Sequence, residues 1–286
     1  MIYLQVIVNG LTLGALYACL AVGFSLVWGV LNVINMLHGS IIILGGYLTY
    51  FAWLKFQVHP LLALLPISAA MWALGWLIQM TMINRLVQQP VLTTLTVTFG
   101  LDLILYNLMN VFFEATPRRV TLDMGTLSLG EVVLPWDRIV AFALALALTL
   151  ALYVVLRTSR AGRAIVAVRM DRDAASLMGI RVNRVYAMTF GIGAGLAGAC
   201  GALMALVFPI TTNISGLLLG KAFVVCVIGG LGTVPGALVG GLVLGLIESF
   251  SGHWFGPQNA VLIGFVLMLA LLMTRPTGLL GRRGYE

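Results

Sequence analysis

Apolar residues run along this chain in long blocks, broken by short polar or glycine-rich interruptions. A helix that crosses a bilayer needs about 20 predominantly apolar residues. Blocks of suitable length lie at 7–30, 38–56, 60–84, 91–113, 139–156, 186–208, 218–234, 235–251 and 257–274. The pair within 218–251 is ambiguous, because one apolar run is interrupted only by GGLGTVPG, residues 229–236. It reads as two short helices, a re-entrant pair or one kinked helix. The predicted fold class is therefore an all-α polytopic membrane protein of eight or nine segments, some broken or re-entrant, forming a single transmembrane domain over 1–286.

Composition excludes a soluble fold. Apolar residues make up 61% of the chain, charged residues 9%, and the mean hydropathy is +1.07. A soluble chain carries roughly 25% charged residues. The net charge of +7 would suggest nucleic acid in a soluble protein. Here seven of the sixteen basic residues fall between 157 and 185, and clustered arginine marks the cytoplasmic face of a membrane protein. With 157–185 inside, alternation puts the segment 114–138 and the N-terminus outside. Arg275, Arg282 and Arg283 fall inside only if 218–251 crosses twice, which favours nine segments. Lys55 and Lys221 then fall outside. No basic residue precedes Lys55, so the first block reads as a retained span rather than a signal peptide. Cys19, Cys200 and Cys226 form no CxxC pair and the histidines are scattered, so no metal site is expected.

Inside the 157–185 loop sits a short helix signal at about 171–179. Asp171 is a suitable N-cap, Asp173 places a carboxylate in the first turn, and Gly179 suits a left-handed stop. Ala174, Ala175, Leu177 and Met178 are good helix formers. Such a helix is something another protein could grip. The external segment 114–138 carries charges of both signs, and TLDMGTLSLGEVVL predicts a small hairpin. It reads either as a solvated connector or as part of an external docking surface.

Polar residues inside apolar blocks are costly and so informative. Thr94, Thr98 and Asp102 recur every four residues, and Tyr106 and Asn110 continue the stripe. The stripe either lines a pathway or is satisfied locally, with threonines bonding their own helix. Asn32, Asn35 and His38 form a second cluster, capping helix ends at the inner face or lining the pathway. Glu248, near an outer span end, reads as interfacial. Gly193–Gly198 matches GxGxxG but lies mid-span; Gly191 and Gly195, and Ala194, Gly198 and Ala202, recur every four residues, which predicts close helix packing instead. Gly220-Lys221 is not a phosphate loop, because Ala222 follows and Ser215 replaces the first glycine. A faint echo links Gly10 and Gly14 to Gly216 and Gly220, as internal repeats would.

Three stretches carry a resemblance: NGLTLGALYACLAVGFSLVWGVLNVINMLHG (9–39), SRAGRAIVAVRMDRDAASLMGIRVNRVYAMTFGIGAGLAGACGAL (159–203) and VIGGLGTVPGALVGGLVLGLIES (227–249). They resemble the permease subunits of branched-chain amino-acid ABC importers, and the first permease of the heterodimeric pair more than its longer partner. The family often has Asn-Phe-Ala-His-Gly where this chain has Asn35-Met-Leu-His38-Gly39. The resemblance implies a transport subunit of the bacterial inner membrane, not an enzyme, with a second homologous permease and two cytoplasmic ABC ATPases. It also implies a periplasmic amino-acid-binding protein. ATP and Mg²⁺ would bind in the partners and no cofactor in this chain; membrane lipid would be the solvent, and nucleic acid no partner. Arg169, Asp171, Arg172, Asp173, Ala174, Ala175, Met178 and Gly179 would then couple to an ATPase groove.

Two other classes are compatible with parts of the chain. A stand-alone carrier or channel for a small solute such as an amide or urea would lean on Asp102 and Glu248. A membrane-embedded enzyme would need paired catalytic groups, and neither HExxH nor GxSxG occurs.

Overall fold

The computed structural model describes residues 2–281 apart from 88, 115, 123, 124, 130, 131 and 276. Asp123, Glu131, Arg282 and Arg283, used in the charge reading, lie outside the described residues. The helices are α1 (Ile2–Leu31), α2 (His38–Phe56), α3 (Pro60–Thr81), α4 (Val91–Phe113), α5 (Trp136–Thr158), α6 (Arg160–Met170), α7 (Arg172–Leu177), α8 (Val182–Val207), α9 (Ser215–Gly229), α10 (Val234–Phe255) and α11 (Pro257–Thr274). Among the described residues nine of these are long and apolar enough to cross a membrane. The ambiguous run at 218–251 is two helices, α9 and α10, joined by a turn in which Gly230 and Gly232 have φ of 108° and 77°. Positive φ of this kind is accessible to glycine at little cost, so the chain reverses within four residues.

α1 and α8 form the centre; nearly all of α8 and most of α1 are buried by other helices. Small residues set these contacts. A Cβ on Gly245 would overlap the backbone of Gly14, and one on Gly201 would overlap the carbonyl of Ile42. Hence α1 lies backbone to backbone on α10, and α2 on α8. In lipid, where apolar side chains gain nothing by leaving solvent, such close approach supplies much of the association. Gly191 and Gly195 lie against Trp72 and Ser68 of α3, and Gly198 sits between Met71 and Gly45. The glycine echo is not functional equivalence. Gly10 and Gly14 meet α10, whereas Gly216 faces open space and Gly220 meets only Phe265.

The hairpin expected between the fourth and fifth spans is present. β1 (Thr126–Leu129) pairs antiparallel with β2 (Val132–Pro135), Leu127 opposite Leu134. The connector is shorter than 114–138, since α5 starts at Trp136 with Asp137 in its first turn. Arg119 pairs with that Asp137 at 3.1 Å, and Arg118 exchanges backbone hydrogen bonds with Ile210.

Candidate functional site

The stretch 157–185 is not a loop around one helix. α5 continues to Thr158, and α6 occupies Arg160–Met170 before α7 begins. Ser159 caps α6 by accepting from the Gly162 amide at 2.8 Å. Gly162, Ile165 and Val168 turn inward while Arg160 and Arg163 stay exposed, which makes α6 amphipathic. The density of arginine in the sequence hid this period. Arg157 stacks over the Tyr153 ring, 4.7 Å from its centroid.

α7 is shorter than the 171–179 expected from sequence, but both its ends are built as the residue types suggest. Asp171 Oδ1 accepts from the amides of Asp173 and Ala174, each at 2.9 Å. At the other end Gly179 has φ of 83°. The Gly179 amide donates to Ser176 O and the Ile180 amide to Ala175 O, a Schellman closure. Ala175 faces the protein, whereas Leu177 and Met178 are 89% and 83% exposed. Two apolar side chains therefore project from a short, doubly capped helix among arginines.

A cavity of about 370 Å³ lies beside the start of this element. Its walls include Asn32 from the end of α1, Thr94 from the start of α4, and Arg169, Asp171 and Arg172. A second, of about 190 Å³, shares Arg172 and Tyr186 with it and adds Asn84, Asp173 and Asn183. Arg169 also reaches the α9–α10 turn beside Gly232. The α6–α7 unit thus lies beside the ends of α1 and α4 and the α9–α10 turn, with α7 itself packed on α6 and α8.

The junction between α1 and α2 holds Asn32, Asn35 and His38. Asn32, with φ of 53°, ends α1, its amide donating to Trp28 O; His38 is the first residue of α2, and its amide donates to Asn35 O. Residues 32–37 then run back alongside α1 instead of turning at the surface. His38, wholly buried, lies with Nε2 2.8 Å from Leu20 O. Leu20 is eleven residues before the end of α1, about 16 Å deep at 1.5 Å per residue. Non-helical backbone at such depth must have its polar groups satisfied by protein. Thr98 of α4 does this, donating to Ile34 O at 3.0 Å and accepting from the Met36 amide at 3.3 Å. Asn35 is buried beside it.

The α4 stripe divides by role. Thr94 bonds only back to Val91 O of its own helix. Thr98 holds the 32–37 segment. Asp102 Oδ1 accepts from Ser40 Oγ in the first turn of α2. Tyr106 donates to Asn213 at 2.9 Å, and Asn110 accepts from Thr212 at 2.6 Å. A polar seam therefore joins α4 to the starts of α2 and α9, while the other faces of α4 expose Leu103, Ile104 and Leu108.

A further cluster is absent from the sequence reading. Lys221 of α9 and Glu248 of α10 are both buried, and Lys221 Nζ lies 2.8 Å from Glu248 Oε2. Tyr17 of α1 donates to the same carboxylate oxygen at 2.6 Å. Glu248 is not interfacial and Lys221 is not an outer-surface charge: each neutralises the other inside the bundle. The available signal was a lysine and a glutamate of opposite sign in consecutive apolar blocks.

The family model described as branched-chain amino acid transport system / permease component matches residues 6–272. The chain belongs to that permease family. It is 34% identical to the high-affinity branched-chain amino acid transport system permease protein BraD of Pseudomonas aeruginosa, over 99% of this chain and 97% of the relative. It is 31% identical to the permease protein LivH of Escherichia coli K12, over the same shares. A probable branched-chain permease LivH of Methanocaldococcus jannaschii is 26% identical over 93% of this chain and 89% of its own. No solved structure matches. As a permease of this family with nine apolar helices among the described residues, the protein is a multi-pass membrane protein, and the polar seam, the buried ion pair and the capped α7 are features of a transport subunit.

Proposed function

We propose that this permease is one half of the translocation pathway of an ATP-driven importer for branched-chain and other hydrophobic amino acids in the bacterial inner membrane. The arginine-bearing end faces the cytoplasm, with the N-terminus outside and the C-terminus inside. A second homologous permease completes the pathway. Two cytoplasmic ATPases bind ATP and Mg²⁺, and a periplasmic binding protein delivers solute.

One observation carries the coupling role. α7 is stiffened by the Asp171 cap and the Gly179 closure, yet its Leu177 and Met178 are left exposed. Exposed apolar pairs on a capped helix suit an apolar groove on a partner. Arg172 of α7 shares a cavity with the ends of α1 and α4, and Arg169 of the adjoining α6 reaches the α9–α10 turn. A push on α7 would pass to them through α6 and α8, the helices it packs on. Arg157, Arg160 and Arg163 would meet anionic headgroups and hold the lever at the membrane. The stand-alone carrier is the weaker reading, since one of its two carboxylates, Glu248, is already neutralised by Lys221.

The test is reconstitution of the complete complex with Asp171 and Asp173 both replaced by alanine. The expected result is a folded, assembled complex whose ATP hydrolysis no longer drives leucine uptake. Normal coupling in that variant overturns the assignment, as does solute flux by the purified permease alone.

A further inference from the structure

The membrane-spanning helices hold two carboxylates away from their ends, Asp102 and Glu248, among the described residues. Their surroundings differ in a way that matters. Glu248 is buried, with a lysine and a tyrosine on one oxygen. Asp102 has no cation within ion-pair distance among the described residues. It is half-buried. Ser40 occupies Oδ1, and Oδ2 makes no hydrogen bond among the described residues. A carboxylate in a spanning helix marks a pathway or a partner cation, because leaving it unpaired in low dielectric is expensive.

Its depth narrows the choice. Asp102 is eleven residues into the 23-residue α4, about 16 Å from the arginine-bearing end. That is the depth of His38 beside Leu20, where α2 begins after the non-helical segment 32–37. Broken backbone near mid-depth is where transporters place their solute sites. The groups further along the seam are satisfied by each other, Tyr106 with Asn213 and Asn110 with Thr212. Only Asp102 offers a charge with nothing opposite it among the described residues.

We propose that Asp102 is the ammonium-recognition point of the translocation pathway: Oδ2 receives the α-ammonium of an amino-acid zwitterion in transit, while Ser40 fixes the carboxylate through Oδ1. This rests on the importer reading and assigns its solute a contact in the permease itself. A basic residue of the second permease is the competing occupant. An unbonded oxygen on a sparsely packed helix suits a ligand that comes and goes, whereas a permanent partner cation belongs with burial of the kind that surrounds Glu248.

The experiment uses the complete importer in proteoliposomes. Asp102→Asn should leave both permeases and the ATPases co-purifying but lower leucine uptake at least about tenfold, as loss of one charge-assisted contact would. Asp102→Glu should retain more uptake than the amide. A second measurement survives misfolding of the Asn variant. Tyr106→Cys puts a thiol one turn from Asp102, and Cys19, Cys200 and Cys226 are all buried, so maleimide labelling of the permease band, compared with the parent complex, reports on the new thiol. Excess leucine should slow that labelling, while 4-methylpentanoate, with the same chain and carboxylate but no ammonium, should not. Uptake within twofold of the parent, or equal protection by both compounds, overturns the proposal. Loss of the second permease from the Asp102→Asn complex overturns it in favour of an intersubunit ion pair. If the unaltered complex imports no branched-chain amino acid, the importer reading fails and the site falls with it.

Discussion

Lys221 of α9 and Glu248 of α10 face each other at 2.8 Å inside the bundle, and Tyr17 of α1 donates to the same carboxylate oxygen. Three helices are joined at one point by groups that lipid would never solvate. A pair of this kind is weak as net stabilisation, because both charges were desolvated, but breaking it leaves an uncompensated ion.

Lys221→Met should therefore lower the stability of the purified permease by about 3–5 kcal/mol, and Glu248→Leu by a similar amount. The double variant should recover most of the loss. Thermal unfolding in detergent, arranged as a double-mutant cycle, measures the coupling. A double variant as unstable as the sum of the singles would show that the two charges do not act as a pair.

Thr98 and Thr94 lie one turn apart on α4 and should behave differently. Thr98→Val removes both the donor to Ile34 O and the acceptor of the Met36 amide. Leaving two buried backbone groups unpaired should cost about 1–3 kcal/mol. Thr94→Val removes only a bond back to Val91 O and should be close to neutral. The comparison of melting temperatures is the check.

At α7 the caps and the exposed side chains can be separated. Asp171→Ala removes an acceptor for two amides and should weaken the helix by about 1 kcal/mol. Leu177→Asp and Met178→Asp touch residues already in solvent, so melting should be unchanged. Co-purification of the ATPases should nevertheless fall. Retained co-purification in both would remove these side chains from the docking surface.

Gly201→Leu and Gly245→Val ask whether close backbone approach holds the bundle together. Neither site has room for a Cβ. Overpacking should cost at least about 1–3 kcal/mol, read as a lower melting temperature and a reduced yield of monodisperse protein. Gly216→Ala, which meets open space, is the matched control and should behave as the parent does.

Local features were legible before any tertiary contact was known. Asp171 and Gly179 announce the ends of α7 because capping depends on residues two to four apart. The start of α2 at His38 follows from apolar block length, whereas the run at 218–251 is ambiguous by its glycines and is tipped towards two crossings only by the placement of the C-terminal arginines. α6 was missed although its Ile165 and Val168 have helical spacing, because the charges around them suggested a loop.

The sequence by itself determined that this is a membrane protein with nine apolar segments, one arginine-rich end and a short capped helix there, since hydropathy, charge and capping are summed over neighbours in the chain. Only the tertiary structure decided which polar groups are spent on each other and which are left open. Lys221 and Glu248 are 27 residues apart, Tyr17 is 204 residues from Lys221, and Thr98 reaches Ile34 across 64. Whether a buried charge is paired depends on which helix faces meet, and those faces are chosen by glycine contacts such as Gly14 on Gly245, which no local pattern can specify.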